Sequence, residues 1–109
     1  MAYNTAIADD IRARLGNRSG LTEREMFGGI AFMINGNMAV GVSGDELMVR
    51  VGKDNHDEAV ALPGARTFDM SARPMRGWVA VAPEGFSEEA AFNAWIDRGV
   101  AFAEILPKK

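Results

Sequence analysis

Two apolar runs, Met26 to Ile34 and Met38 to Val42, meet around the dipeptide Asn35-Gly36. A two-residue hairpin turn needs positive φ at both central positions, which asparagine and glycine tolerate, so this arrangement predicts a β-hairpin. A second turn, Ser43-Gly44-Asp45, leads into Glu46 to Val51, where Leu47, Val49 and Val51 alternate with Glu46, Met48 and Arg50. Alternation at period two gives a strand with one buried face. Three consecutive antiparallel strands are therefore expected. Gly28 and Gly29, inside the first of them, are read as a bulge or a close backbone approach.

The flanking segments read as helices. Tyr3, Ile7, Ile11 and Leu15 stand four residues apart, which lines them along one face of a helix over residues 4–15, capped by Asn4 or Thr5 and stopped by Gly16. Arg18 to Glu25 is polar, contains Ser19, Gly20 and Thr22, and is read as a surface connection. Beyond the third strand, Asp54 or Asn55 is placed to cap a short helix with Asp57 and Glu58 in its first turn, and Pro63-Gly64 stops it. Arg66 to Ser71 alternates again and Trp78 to Ala82 is apolar and partly β-branched, which gives a fourth and a fifth strand. In the last segment Ser87 is the expected cap, and Phe92, Trp95, Ile96, Gly99, Ala103 and Leu106 recur at helical steps before Pro107. The expectation is an α+β domain of order α-β-β-β-α-β-β-α: two layers, with a five-stranded antiparallel sheet carrying helices on one face. A chain of 109 residues has material for one core, so residues 1–109 are read as a single domain.

Composition narrows the function classes. The balance of 48% apolar and 25% charged residues is that of a soluble globular protein. The longest apolar run is interrupted by glycines and too short to span a bilayer as a helix, and residues 1–10 lack a cationic start followed by an apolar stretch. The expected compartment is the cytoplasm, with no membrane partner. Without cysteine there is no disulfide, thiolate zinc site or cysteine nucleophile. A formal charge of −3 argues against direct nucleic-acid binding through broad attraction to phosphates.

The single histidine, His56, lies among Asp54, Asp57 and Glu58, which raises a metal site; with no second histidine, the capped acidic start of a short helix explains these residues better. A Ser-His-Asp set would have to use His56, yet no serine sits in a Gly-x-Ser-x-Gly turn, and no phosphate-loop pattern is present. The expectation is a protein with no catalytic residues, no cofactor and no metal. Seven methionines fall mostly in or beside the strands, and a sheet with helices on one face leaves its other face needing cover or solvent. Phe27, Met33 and Met48 are placed to lie there, and a homodimer through that face is one way of covering it. The segment Arg73-Pro74-Met75-Arg76-Gly77-Trp78 is either a structural turn anchored by Trp78 or an anion- or partner-binding corner, since arginine suits bidentate capture of anions.

The run Met26-Phe27-Gly28-Gly29-Ile30-Ala31-Phe32, the hairpin Asn35-Gly36-Asn37-Met38 and the segment Arg73-Pro74-Met75-Arg76-Gly77-Trp78-Val79 together resemble the amino-terminal domain of the TfoX/Sxy competence regulators. Residues 101–108 are similar to that domain's closing helix, so the likeness covers nearly the whole sequence. It implies a two-layer fold like that of the secretion-chaperone-like domains, and a structural importance for Met26, Phe27, Gly28, Gly29, Arg73, Pro74, Met75, Gly77 and Trp78. The best-known members carry a further carboxy-terminal helical domain, which the resemblance does not extend to. The functional expectation is a non-enzymatic regulatory domain with a protein partner. The alternatives are a nucleic-acid-associated transcription accessory protein using Arg73 and Arg76, and a small-molecule binder with a pocket near Arg50 and His56.

Overall fold

Asn35 and Gly36 adopt φ values of 53° and 84°, the pair of left-handed conformations that a tight turn between right-twisted strands demands. In the computed structural model, which describes residues 3–26, 28–70 and 73–108, that turn joins the second and third of six strands. The elements run α1 (Thr5–Leu15), β1 (Leu21–Met26), β2 (Gly29–Ile34), β3 (Asn37–Ser43), β4 (Glu46–Arg50), α2 (His56–Val60), β5 (Ala65–Met70), β6 (Arg73–Val81) and α3 (Glu89–Ile105). Single 3-10 turns at Lys53–Asn55 and Pro83–Gly85 lead into α2 and α3. The strands form one open antiparallel sheet in the order β1-β2-β3-β4-β6-β5. No helix among the described residues is long and apolar enough to cross a membrane.

The sheet has six strands, not five. Residues 21–25, read above as part of a surface connection, form β1 together with Met26, and β1 pairs with β2 from Leu21 opposite Ile34 to Met26 opposite Gly29. The expected single strand from Met26 to Ile34 is therefore broken by a turn, at which Gly28 has φ 75°. Thr22 to Glu25 are all exposed, so β1 is an edge strand held by backbone pairing rather than by an apolar face. Polar side chains tie it to α1 and to the residues before it: Arg12 donates through Nε and Nη2 to the Glu23 carboxylate, both at 2.8 Å, and the Tyr3 hydroxyl donates to Glu25 at 3.3 Å. The Arg12 hydrogen bond holds the Glu23 carboxyl below its ordinary range.

A second correction concerns Arg73 to Gly77, which lie within β6 and not in a turn. Proline is tolerated there because β6 outruns β4: the β4 pairing ends at Arg50 opposite Trp78, and Pro74 faces only Asp69 of β5. Two expected caps also differ. Asn55 makes no cap bond and instead donates through Nδ2 to the Val51 carbonyl at 3.3 Å. The residue at the start of α3 is Glu88 rather than Ser87, without a side-chain cap. Asn4 does cap α1, its Oδ1 accepting from the backbone N–H groups of Ala6 and Ile7.

Strand register sorts the side chains into two faces. Ile30, Phe32, Val40, Val42, Leu47, Val49, Val79 and Val81 share one face and are buried, together with Ile11, Leu15, Ala59, Trp95, Ile96, Val100 and Ala103 of the helices, in one contiguous cluster. The opposite face carries Ala31, Met33, Met38, Gly41, Met48, Arg66, Trp78 and Ala80. Close approach of α3 to β3 depends on Gly99, since a Cβ there would run into the Ala39 carbonyl and the Val40 side chain. Alanine is favoured over glycine in a helix by about 1 kcal/mol, whereas overpacking costs roughly 1–3 kcal/mol. Backbone atoms cannot yield as a side-chain tip does, so overpacking wins. Gly99→Ala is expected to lower the midpoint of urea unfolding, and a raised midpoint would show that α3 is not wedged against β3 by this residue.

Candidate binding corner at the end of the sheet

The end of β4 is stitched to β6 by one residue. The Gly77 carbonyl accepts from the backbone N–H of both Val51 and Gly52, at 2.8 and 3.1 Å, and the Gly77 N–H donates to His56 Nδ1 at 2.9 Å. Gly77 has φ 95° and its Cα faces the Gly52–Lys53 backbone, where a Cβ would come within 3.2 Å. An L side chain is strained on both counts.

His56 is buried, 4% exposed, and both ring nitrogens are used. Because Gly77 donates to Nδ1, that nitrogen carries no proton; Nε2 holds it and donates to Thr67 Oγ1 at 2.8 Å. The imidazole thus pins α2 across β6 and β5. Its acidic neighbours point elsewhere: Asp57 accepts from Arg76 at 3.2 and 3.3 Å, and Glu58 accepts from Arg98 at 3.3 Å. Among the described residues no three His, Asp or Glu side chains gather as a metal ion would need.

Beyond Gly77, Trp78 lies opposite Arg50, and the Arg50 guanidinium carbon sits 5.0 Å from the Trp78 ring centroid and 5.4 Å from that of Phe102 on α3. A cleft of about 360 Å³ opens here, lined by Arg50, Lys53, Arg76, Trp78, Phe102 and Ile105 among others. A larger cleft, about 640 Å³, lies between α1 and the start of α3. It carries Asp10 and Glu89, and its Arg14 is already bonded to Asp97, which among the described residues leaves it without a free cation.

The sequence motifs fall in two separate places. Met26, Gly28 and Gly29 form the β1–β2 turn, where a Cβ on Gly29 would collide with the Val42 carbonyl oxygen. Phe27 lies outside the described residues, as do the side chains of Met26, Arg73 and Pro74. Met75 is half-buried, Gly77 buried and Trp78 half-buried, on β6. Strands β3 and β4 separate the two groups, so they do not converge on one site. A model of the TfoX N-terminal domain matches residues 13–103. The chain belongs to the TfoX N-terminal domain family. No curated protein and no solved structure matches it. The TfoX N-terminal match takes in both motif groups and Phe102, and leaves Ile105 outside.

Phe102 and Lys53 were not legible as corner residues. Phe102 stands one position off the buried stripe of α3, and an aromatic off the stripe near a helix end is the signal that marks it. Losing the His56 ring leaves the buried Gly77 N–H without an acceptor, at a cost of roughly 2–3 kcal/mol. His56→Ala is accordingly expected to lower unfolding free energy by about that amount. His56→Asn, whose side-chain oxygen reaches the Nδ1 position, recovers part of it. Equal stability of the alanine variant and the parent by chemical denaturation would contradict this role.

Proposed function

We propose that this TfoX N-terminal domain is a regulatory protein-interaction module, acting in the cytoplasm and without catalytic activity of its own. The observation that carries this reading is the sheet face opposite the helices. At its centre Ala31, Gly41, Met48 and Ala80 are buried with no helix of the described residues above them, because the Met38 and Met48 side chains fold over Gly41, where a Cβ would lie 3.0 and 2.9 Å from their methyl carbons. Half-exposed Met33, Met38 and Trp78 surround this centre. Flexible thioethers on an uncovered surface adapt to an incoming partner at small cost in strain. Across β6, Arg66 donates two hydrogen bonds of 2.7 Å to Glu46, which frames the face with a fixed polar edge and holds the Glu46 carboxyl below its ordinary range. The two-layer arrangement also supports the secretion-chaperone-like reading of the fold, with β1 as an added edge strand.

His56 favours this reading over a hydrolytic or metal-dependent one, since both its nitrogens serve the scaffold. A photo-crosslinking residue placed at Met38 is expected to yield a discrete adduct in cells, and the same residue at Ala90, exposed on α3, to yield none. The adduct mass distinguishes a second copy of the chain from a different protein. Crosslinking from Ala90 but not from Met38 would overturn the assignment of this face.

A further inference from the structure

Among the described residues, Arg50 is a cation at the corner that no carboxylate holds. Arg12, Arg14, Arg18, Arg66, Arg76 and Arg98 each contact a carboxylate within 4 Å. Among the described residues Arg50 makes no hydrogen bond or ion pair, and its guanidinium is held only against the Trp78 and Phe102 rings. Ring faces orient a guanidinium without satisfying its N–H donors as a carboxylate does. Lys53, also free of any ion pair among the described residues, lines the same cleft. Beside them Ile105, at 76% exposure, is the one large apolar side chain left in solvent among the described residues. An oriented, unpaired guanidinium next to an exposed apolar side chain matches a ligand that carries a carboxylate beside an apolar group.

We propose that this cleft binds an acidic segment of a partner protein, with Arg50 and Lys53 taking a carboxylate and Trp78, Phe102 and Ile105 taking the neighbouring apolar side chain. The inference rests on the protein-interaction reading above and adds its chemistry and its address. Charge decides between an acidic peptide and nucleic acid. Asp54 lines the cleft and Asp57 pairs with Arg76 at its edge, so carboxylates bound the cations Arg50 and Lys53. A strand with a phosphate at every nucleotide would meet those aspartates and a chain of net charge −3.

The probe is an acetylated, amidated peptide of alternating glutamate and leucine, six residues long, titrated into the ¹⁵N-labelled full chain. The expected result is saturable shifts of the Arg50 Nε–H and Trp78 indole N–H signals with a dissociation constant below roughly 1 mM. The Trp95 indole, which donates to the Gly85 carbonyl, stays still. Replacing glutamate by glutamine in the peptide, or Arg50→Gln in the protein, weakens binding about tenfold, in line with loss of a charge-assisted hydrogen bond. Ile105→Ser, at an exposed position that leaves the fold intact, weakens it severalfold. Equal binding of the glutamine peptide, unchanged affinity in both protein variants, or a preference for a thymidine hexanucleotide would overturn the proposal. Such failures leave the crosslinking test at Met38 untouched, so the two readings fail separately.

Discussion

The backbone hydrogen bonds of Gly77 hold together the end of β4, the middle of β6 and the start of α2. Its carbonyl receives two N–H groups from the segment that leaves β4, and its N–H is received by a buried imidazole. These bonds lie away from solvent, where an unpaired backbone group costs far more than a paired one gains. Trp78 follows directly, so the orientation of its ring beside Arg50 depends on the same residue. The corner, the attachment of α2 and the termination of the β4–β6 ladder share one origin.

This arrangement explains why the lone histidine, though flanked in sequence by acidic residues, bonds to Gly77 and Thr67 instead. Helix α2 is short and packs its buried side against β5 and β6, which sends His56 inward and Asp57 and Glu58 outward to the arginines of β6 and α3. Exposed pairs of that kind contribute little stability each, so their effect is on where the arginines lie. Arg76 is drawn toward α2, and among the described residues Arg50 is left with aromatic partners alone. The corner adjoins the uncovered sheet face through Trp78, which belongs to both. A partner segment crossing the methionines of β3 and β4 would arrive at the cations without leaving the surface.

Much of this fold was legible in the sequence, and the gaps have physical causes. The Asn35-Gly36 hairpin, α1 and α3 announce themselves because turn chemistry and four-residue apolar spacing are local. Strand β1 does not, since an edge strand with Thr22 to Glu25 in solvent has no apolar alternation to display; what holds it is backbone pairing with β2 and the bond from Arg12 to Glu23. The early part of β6 reads as a turn because Pro74 and Gly77 usually mark one, and only the shorter length of β4 makes them compatible with a strand. The corner was half visible. Trp78, Arg76, Arg50 and His56 each attracted notice, but Phe102 joins them from a helix fifty residues from Arg50 in the chain, and no local pattern reports such a meeting.

The corner depends on Gly77 donating to the unprotonated Nδ1 of His56. A long-range ¹H–¹⁵N spectrum of the imidazole in the folded chain tests this directly. It should show the proton on Nε2, with Nδ1 resonating as an unprotonated acceptor coupled to the Gly77 amide proton. A proton on Nδ1, with no coupling to Gly77, would mean that α2 is held to the sheet by some other contact and that the corner is not built as described.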